Sequence, residues 1–174
     1  MPKIIEGVRE GLIMAARRHL QSEEQGTFSL RDIAAECGIA VGTVYNYFPT
    51  KDMLIATAIS DDWLSVLQNA DTDMKEADTF DDAIRALISR IGSFRARYDR
   101  IFNSSTMKVD AARFMQGKLV LRSQMKERLQ LAAEHFRRER ILRNVGVLST
   151  ALYECAFMDA CSVEELLALF EELK

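Results

Sequence analysis

At 174 residues, 48% apolar and 28% charged with both signs interspersed, the chain has material for one sizeable packed core or two intimately joined parts, which excludes general disorder. No run approaches the roughly 18 uncharged apolar residues of a membrane helix, and Glu6, Arg9 and Glu10 interrupt residues 1–18, which argues against a signal peptide and predicts a cytoplasmic protein with no membrane partner. The net charge of −3 argues against a uniformly basic nucleic-acid binder, and three scattered cysteines, Cys37, Cys155 and Cys161, against a disulfide framework.

Two prolines, Pro2 and Pro49, leave long stretches of 3.6-residue apolar period and no strand-like alternation, so the chain is read as all-α. A first helix over residues 3–21 carries Ile5, Val8, Leu12, Ala15, Ala16 and Leu20 on one face, and the polar stretch 22–26 ends it. A second begins after Ser29, whose hydroxyl is placed to cap the amide of Asp32, and turns Leu30, Ile33, Ala34 and Cys37 inward. A short third helix over 41–48 stops at Pro49, and Thr50 caps a fourth over 51–69 with Leu54, Ile55, Ala58, Ile59 and Trp63 inside. Residues 71–79, with three Asp and two Thr, read as a connecting loop. A fifth helix follows over 80–101, then one near 107–116, a long amphipathic one over 118–140, and two final ones over 145–160 and 163–173. Ser162 and Glu165 form a capping-box pattern for the last.

The segment 29–48 carries a mechanical signature. Ala34 must be small for two helix axes to approach, Gly38 four residues later takes the positive φ that turns the chain, and Ile39 and Val44 plug the angle between the helices. That spacing is a helix-turn-helix, whose second helix enters the major groove of DNA. On the second helix Val44 and Phe48 point inward, leaving Val41, Gly42, Thr43, Asn46 and Tyr47 toward solvent or DNA. The hydroxyls of Thr43 and Tyr47 suit phosphate or base edges, Val41 a thymine methyl, and Gly42 a close approach of backbone to DNA. Tyr45 reads equally as a packing ring and as a phosphate-bonding hydroxyl. Lys51, at the start of the next helix, is placed for phosphate beside that helix's N-terminal dipole. Residues 1–60 hold six cations (Lys3, Arg9, Arg17, Arg18, Arg31, Lys51) and seven acids (Glu6, Glu10, Glu23, Glu24, Asp32, Glu36, Asp52), so binding must depend on placement of charge.

The run from Leu30 to Ala34, and then from Gly38 through Thr43, Tyr45, Tyr47, Phe48 and Lys51 to Leu54, resembles the tetracycline-repressor (TetR) family over about residues 8–58. The resemblance implies DNA-backbone roles for Ser29, Thr43, Tyr45, Tyr47 and Lys51, with Val41, Gly42 and Thr43 facing the bases. It implies a three-helix DNA-binding head (1–49) followed by a helical effector-binding and dimerisation domain (50–174), acting as a ligand-released homodimeric repressor on a palindromic double-stranded operator. One departure is Ala40, where the family often has a capping Ser.

Beyond residue 60 no motif stands out. Trp63, Phe94, Tyr98, Phe102, Phe114, Tyr153 and Phe157 are the aromatic candidates for lining a small-molecule effector cavity, each competing with a plain core role. Leu148, Leu152 and Cys155 with Leu166, Leu167 and Phe170 form apolar stripes on the last two helices that predict pairing across a two-fold axis. His19 and His135 lack the spacing of a metal site, no cofactor motif, nucleophile elbow or phosphate loop is present, and enzymatic activity is not expected. The run Arg137, Arg138, Glu139, Arg140 reads as a solvated helix face open to an acidic effector. The competing reading is a protein with this fold that controls a protein partner and uses DNA as a platform or not at all.

Overall fold

A computed structural model describes residues 7–22, 28–103, 111–158 and 160–173, with the side chains of 100, 102, 103, 111–116 and 118 outside the description. Among the described residues the chain is all-helical: α1 (Val8–Gln21), α2 (Leu30–Glu36), α3 (Val41–Tyr47), α4 (Lys51–Glu76), α5 (Phe80–Asn103), α6 (Ala111–His135), α7 (Glu139–Arg143), α8 (Val145–Met158) and α9 (Val163–Glu171). None of the described helices is long and apolar enough to cross a membrane.

The chain divides into two compact units, Met1–Ser65 and Val66–Lys174. The division falls after Ser65 rather than at 49/50, because the first half of α4 sinks Leu54 and Ala58 into the same core as Leu12, Ala15 and Ala16 of α1, Ile33 and Ala34 of α2, and Val44 and Phe48. The head is therefore a four-helix cluster, its last helix begun by the Thr50 hydroxyl, which accepts the Met53 amide at 3.1 Å.

In the second unit α5 packs on α6, α8 and α9, and Ile84, Leu87, Ile91 and Tyr98 of α5, Met125 and Leu129 of α6, Leu152 of α8 and Phe170 of α9 are all fully buried. Phe80 meets Phe136 and Phe170 edge-on at ring separations of 6.3 and 5.7 Å. The capping box at Ser162 is present as the sequence predicts: the Glu165 amide donates to Ser162 Oγ and the Ser162 amide to Glu165 Oε2, which holds the Glu165 carboxyl below its ordinary range.

Three boundaries differ from expectation. The polar stretch 71–79 is helical through Glu76, since Ala70 and Met74 continue the buried stripe while Asp71 and Asp73 find Arg128 and Arg90 at 3.0 and 2.6 Å. Helix α6 passes through Gly117 unbroken over Ala111–His135, while residues 107–110 of the predicted shorter helix lie outside the described residues. At its far end α6 stops at His135, five residues before the predicted end at 140, because Arg137 adopts a left-handed φ of 55° and its amide and that of Arg138 return to the carbonyls of Glu134 and Ala133.

The stripe expected at a dimer interface is internal. Leu148, Leu152, Cys155, Leu166, Leu167 and Phe170 are all buried within the single chain, where α8 and α9 pack on each other and on α5. The thiol of Cys155 donates to the Cys161 carbonyl at 3.3 Å, and neither cysteine forms a disulfide among the described residues.

Candidate nucleic-acid interface

The turn from α2 to α3 is built as the sequence requires. Gly38 has φ +66°, its amide donates to the Ala35 carbonyl at 3.1 Å, and the Ile39 amide donates to Ala34 at 3.0 Å. This pair of bonds closes α2 and redirects the chain within two residues. Val44 and Ala34 are fully buried at the crossing and Ile39 packs against them, so α3 is held rigidly on its inner face.

At the start of α2 the Asp32 amide donates to the Ser29 hydroxyl at 3.4 Å, the expected cap. At the start of α3 nothing comparable exists: Ala40 holds the extended backbone of a cap residue (φ −73°, ψ 146°) without a side-chain acceptor. Replacing Ala40 with Ser is therefore expected to stabilise the chain by about 1 kcal/mol. In a thermal melt that corresponds to an increase of roughly 2–4 °C in the midpoint, and an unchanged midpoint would show that the α3 start is already satisfied by solvent.

The predicted readers separate by exposure. Gly42, Tyr45 and Asn46 are exposed, and Tyr45 keeps 49% of its surface. Val41 and Tyr47, expected to point outward, instead pack part of their side chains against the head core, and Thr43 is half-buried. Of the two tyrosines, Tyr45, read equally as a packing ring and as a phosphate-bonding hydroxyl, is the exposed one, while Tyr47 packs part of its ring against the head core. A Cβ built on Gly42 meets nothing within 4 Å, so no contact among the described residues requires glycine there.

Lys51 does not stand free. Its ammonium donates to the Phe28 carbonyl at 2.7 Å and lies 5.2 Å from the centre of the Phe28 ring, which ties the start of α4 to the segment entering α2. An ammonium carries three donors, so this tether leaves capacity for a phosphate. Arg31, which sequence reasoning did not single out, is exposed on the first turn of α2 and has no internal partner among the described residues. Arg9 stacks over Phe48 at 5.4 Å.

The near-neutral head is electrostatically sorted. Glu36 accepts from Arg18 Nε at 3.0 Å and lies 3.0 Å from His19 Nε2; Arg18, then His19, hold its carboxyl below the usual carboxylate range. Arg17 pairs with Asp61 and reaches Asp62 at 3.6 Å. Burial, then the Glu36 charge, push the Cys37 thiol up, so it remains a protonated packing group. Arg17 and Arg18 are thus committed to head acids, Arg9 and Lys51 rest on aromatic rings, and Arg31 is unpaired among the described residues, while α3 itself carries no charge.

The aromatic residues expected to line an effector cavity do not form one group. Trp63 is buried and belongs to the first unit, Phe94 and Tyr98 are buried on α5 with ring centres 5.0 Å apart, and Tyr153 stacks on Phe157 at 5.0 Å beneath Arg122. Burial and the neighbouring Glu154 raise the Tyr153 hydroxyl above its ordinary pKa. The side chains of Phe102 and Phe114 lie outside the described residues. Two recesses open on the second unit, one of about 480 Å³ lined by Asp71, Met74, Lys75, Leu131, Ala132, Glu134 and His135, the other of about 390 Å³ at Arg137, Arg138, Glu139, Arg140 and Leu173. Neither is lined by any of the aromatic effector candidates, while the second is formed by the run over residues 137–140 read as open to an acidic effector.

Residues 12–58 match the family model described as bacterial regulatory proteins, tetR family. The matched segment begins inside α1, covers α2 and α3 and ends in the first part of α4, so it coincides with the packed head. No curated protein matches the chain.

Proposed function

Since the chain belongs to the tetR family of bacterial regulatory proteins through this head, and is thereby a DNA-binding transcriptional regulator, we propose that it acts as a ligand-released repressor, two copies reading the halves of a palindromic operator. The observation that carries the reading is the outer face of α3. An uncharged helix with Gly42, Tyr45 and Asn46 exposed is fixed by a glycine turn and a buried Val44, which is the construction a major-groove reader needs. Val41, Gly42 and Thr43 are assigned to base edges, and Ser29, Tyr45, Tyr47 and Lys51 to the DNA backbone, with Arg31 added.

The homodimer is assigned to apolar side chains left exposed on α6 and α8, Leu119, Val120 and Val147, because the stripes first expected to pair are consumed inside the chain. A palindromic operator read by two copies has its half-sites about one DNA turn apart. A small-molecule effector bound in the second unit releases DNA by preferring the state with altered head spacing, since equal affinity for both states shifts nothing. The role is regulatory, without turnover, in the cytoplasm.

A mobility-shift titration against DNA upstream of the chain's own coding sequence tests the assignment. Specific retardation that weakens steeply with salt is expected. Tyr45→Phe, which removes one hydroxyl from a half-exposed ring, should lower operator affinity roughly tenfold with unchanged stability, the value of a hydrogen bond to a charged phosphate. Absence of a specific complex would transfer the head to a protein partner.

A further inference from the structure

We propose that the turn between α6 and α7 is a binding site for the phosphate group of a small molecule, formed by Arg137, Arg138 and Arg140. Four arginines fall within residues 137–143 of a chain whose net charge is −3. Three of them line one recess of about 390 Å³, together with Glu139 and Leu173. Its size is that of a small-metabolite pocket.

The local acids are largely engaged. Glu139, the carboxylate in the recess, lies 3.6 Å from Arg143, and Glu171 lies 3.8 Å from Arg138. The side chains of Arg137 and Arg140 are exposed, and their guanidinium groups make no ion pair or hydrogen bond among the described residues. Four guanidinium groups (Arg137, Arg138, Arg140 and Arg143) against two carboxylates (Glu139 and Glu171) leave an excess of two positive charges that a phosphate monoester, which carries close to two negative charges at neutral pH, complements.

The site is also pre-organised. Arg138 donates to the Phe170 carbonyl at 3.0 Å and its guanidinium lies 4.9 Å from the centre of the Phe80 ring, so the middle member is fixed on a hydrophobic base. Its buried Nε has no hydrogen-bond partner among the described residues. Arg137 occupies the left-handed position of a helix-ending turn, at φ 55°, where glycine would sit without strain. The helix stop needs no guanidinium there, but an anion between Arg137 and Arg140 does. Planar guanidinium forks match phosphate oxygens in pairs.

Calorimetric titration of the full chain with inorganic phosphate, at ionic strength matched with sodium chloride, tests the site without DNA and so stands or falls apart from the operator reading. Saturable binding of one phosphate per chain is expected. Arg140→Gln should weaken it at least tenfold. Arg137→Gly should weaken it likewise while raising the thermal midpoint in phosphate-free buffer, a combination of signs that a misfolded variant cannot produce. Arg85→Gln, which removes an equal charge from the exposed α5 pair with Glu164, should leave phosphate affinity unchanged. No saturation in the parent chain, undiminished binding by both recess variants, or equal uptake of succinate would overturn the proposal.

Discussion

Replacing Gly42 with Ala will make the chain more stable and a poorer ligand for operator DNA. Gly42 is the second residue of α3, with no positive φ and open space where a Cβ would be. Glycine in a helix costs up to about 1 kcal/mol against alanine, and nothing in the folded chain repays that cost here. The substitution should add about 0.5–1 kcal/mol to the unfolding free energy in urea. The same methyl stands on the outer face with the exposed Tyr45 and Asn46, the face assigned above to DNA in the proposed operator complex. A loss of at least tenfold in operator affinity, about 1.4 kcal/mol, is expected. Stability gained with affinity retained would remove Gly42 from the interface and shift the contact surface toward Ser29 and Arg31.

The comparison of two turns explains why the head was legible in the sequence and the second unit less so. Gly38 and Arg137 close their helices with the same pair of returning hydrogen bonds and nearly the same φ, +66° and 55°. At Gly38 the residue type announces the turn; at Arg137 it does not, and helix continuation to residue 140 is what periodicity suggests. Gly117 misleads in the opposite sense, as an exposed glycine that a long helix tolerates. Ala34, Ile39 and Val44 could be assigned because small, apolar and glycine spacings fix their geometry locally. Tyr45 and Tyr47 required the packing of α3 against the head to be told apart, since either side of a short helix edge accepts a ring. The stripes of α8 and α9 showed that they would be buried, but a periodic apolar face does not say whether it is covered by α5 or by a second copy.

Removing the carboxylate of Asp71 should be the most damaging single change to the second unit outside its apolar core. Arg128 is 8% exposed, with Nη2 on Asp71 at 3.0 Å, Nη1 on the Gln124 carbonyl at 3.2 Å, and a buried Nε that has no hydrogen-bond partner among the described residues. Without Asp71 the guanidinium retains one backbone carbonyl and Glu127 at 3.6 Å, a largely exposed carboxylate. Orphaning a fully buried charge costs about 3–5 kcal/mol. The Asp71 side chain is one-third exposed, so water screens part of this interaction, and Asp71→Ala is expected to cost about 2 kcal/mol in urea unfolding. With Arg128→Met measured alone as the other edge of the cycle, in Asp71→Ala with Arg128→Met the charge is gone with its partner, and most of that stability should return. The cycle decides what makes residues 71–76 helical. Recovery in the double variant means the ion pair offsets the burial of Arg128 and lets α4 continue past Ala70. Additive losses would mean that Ala70 and Met74 hold the extension by packing, with the pair contributing nothing beyond its separate members.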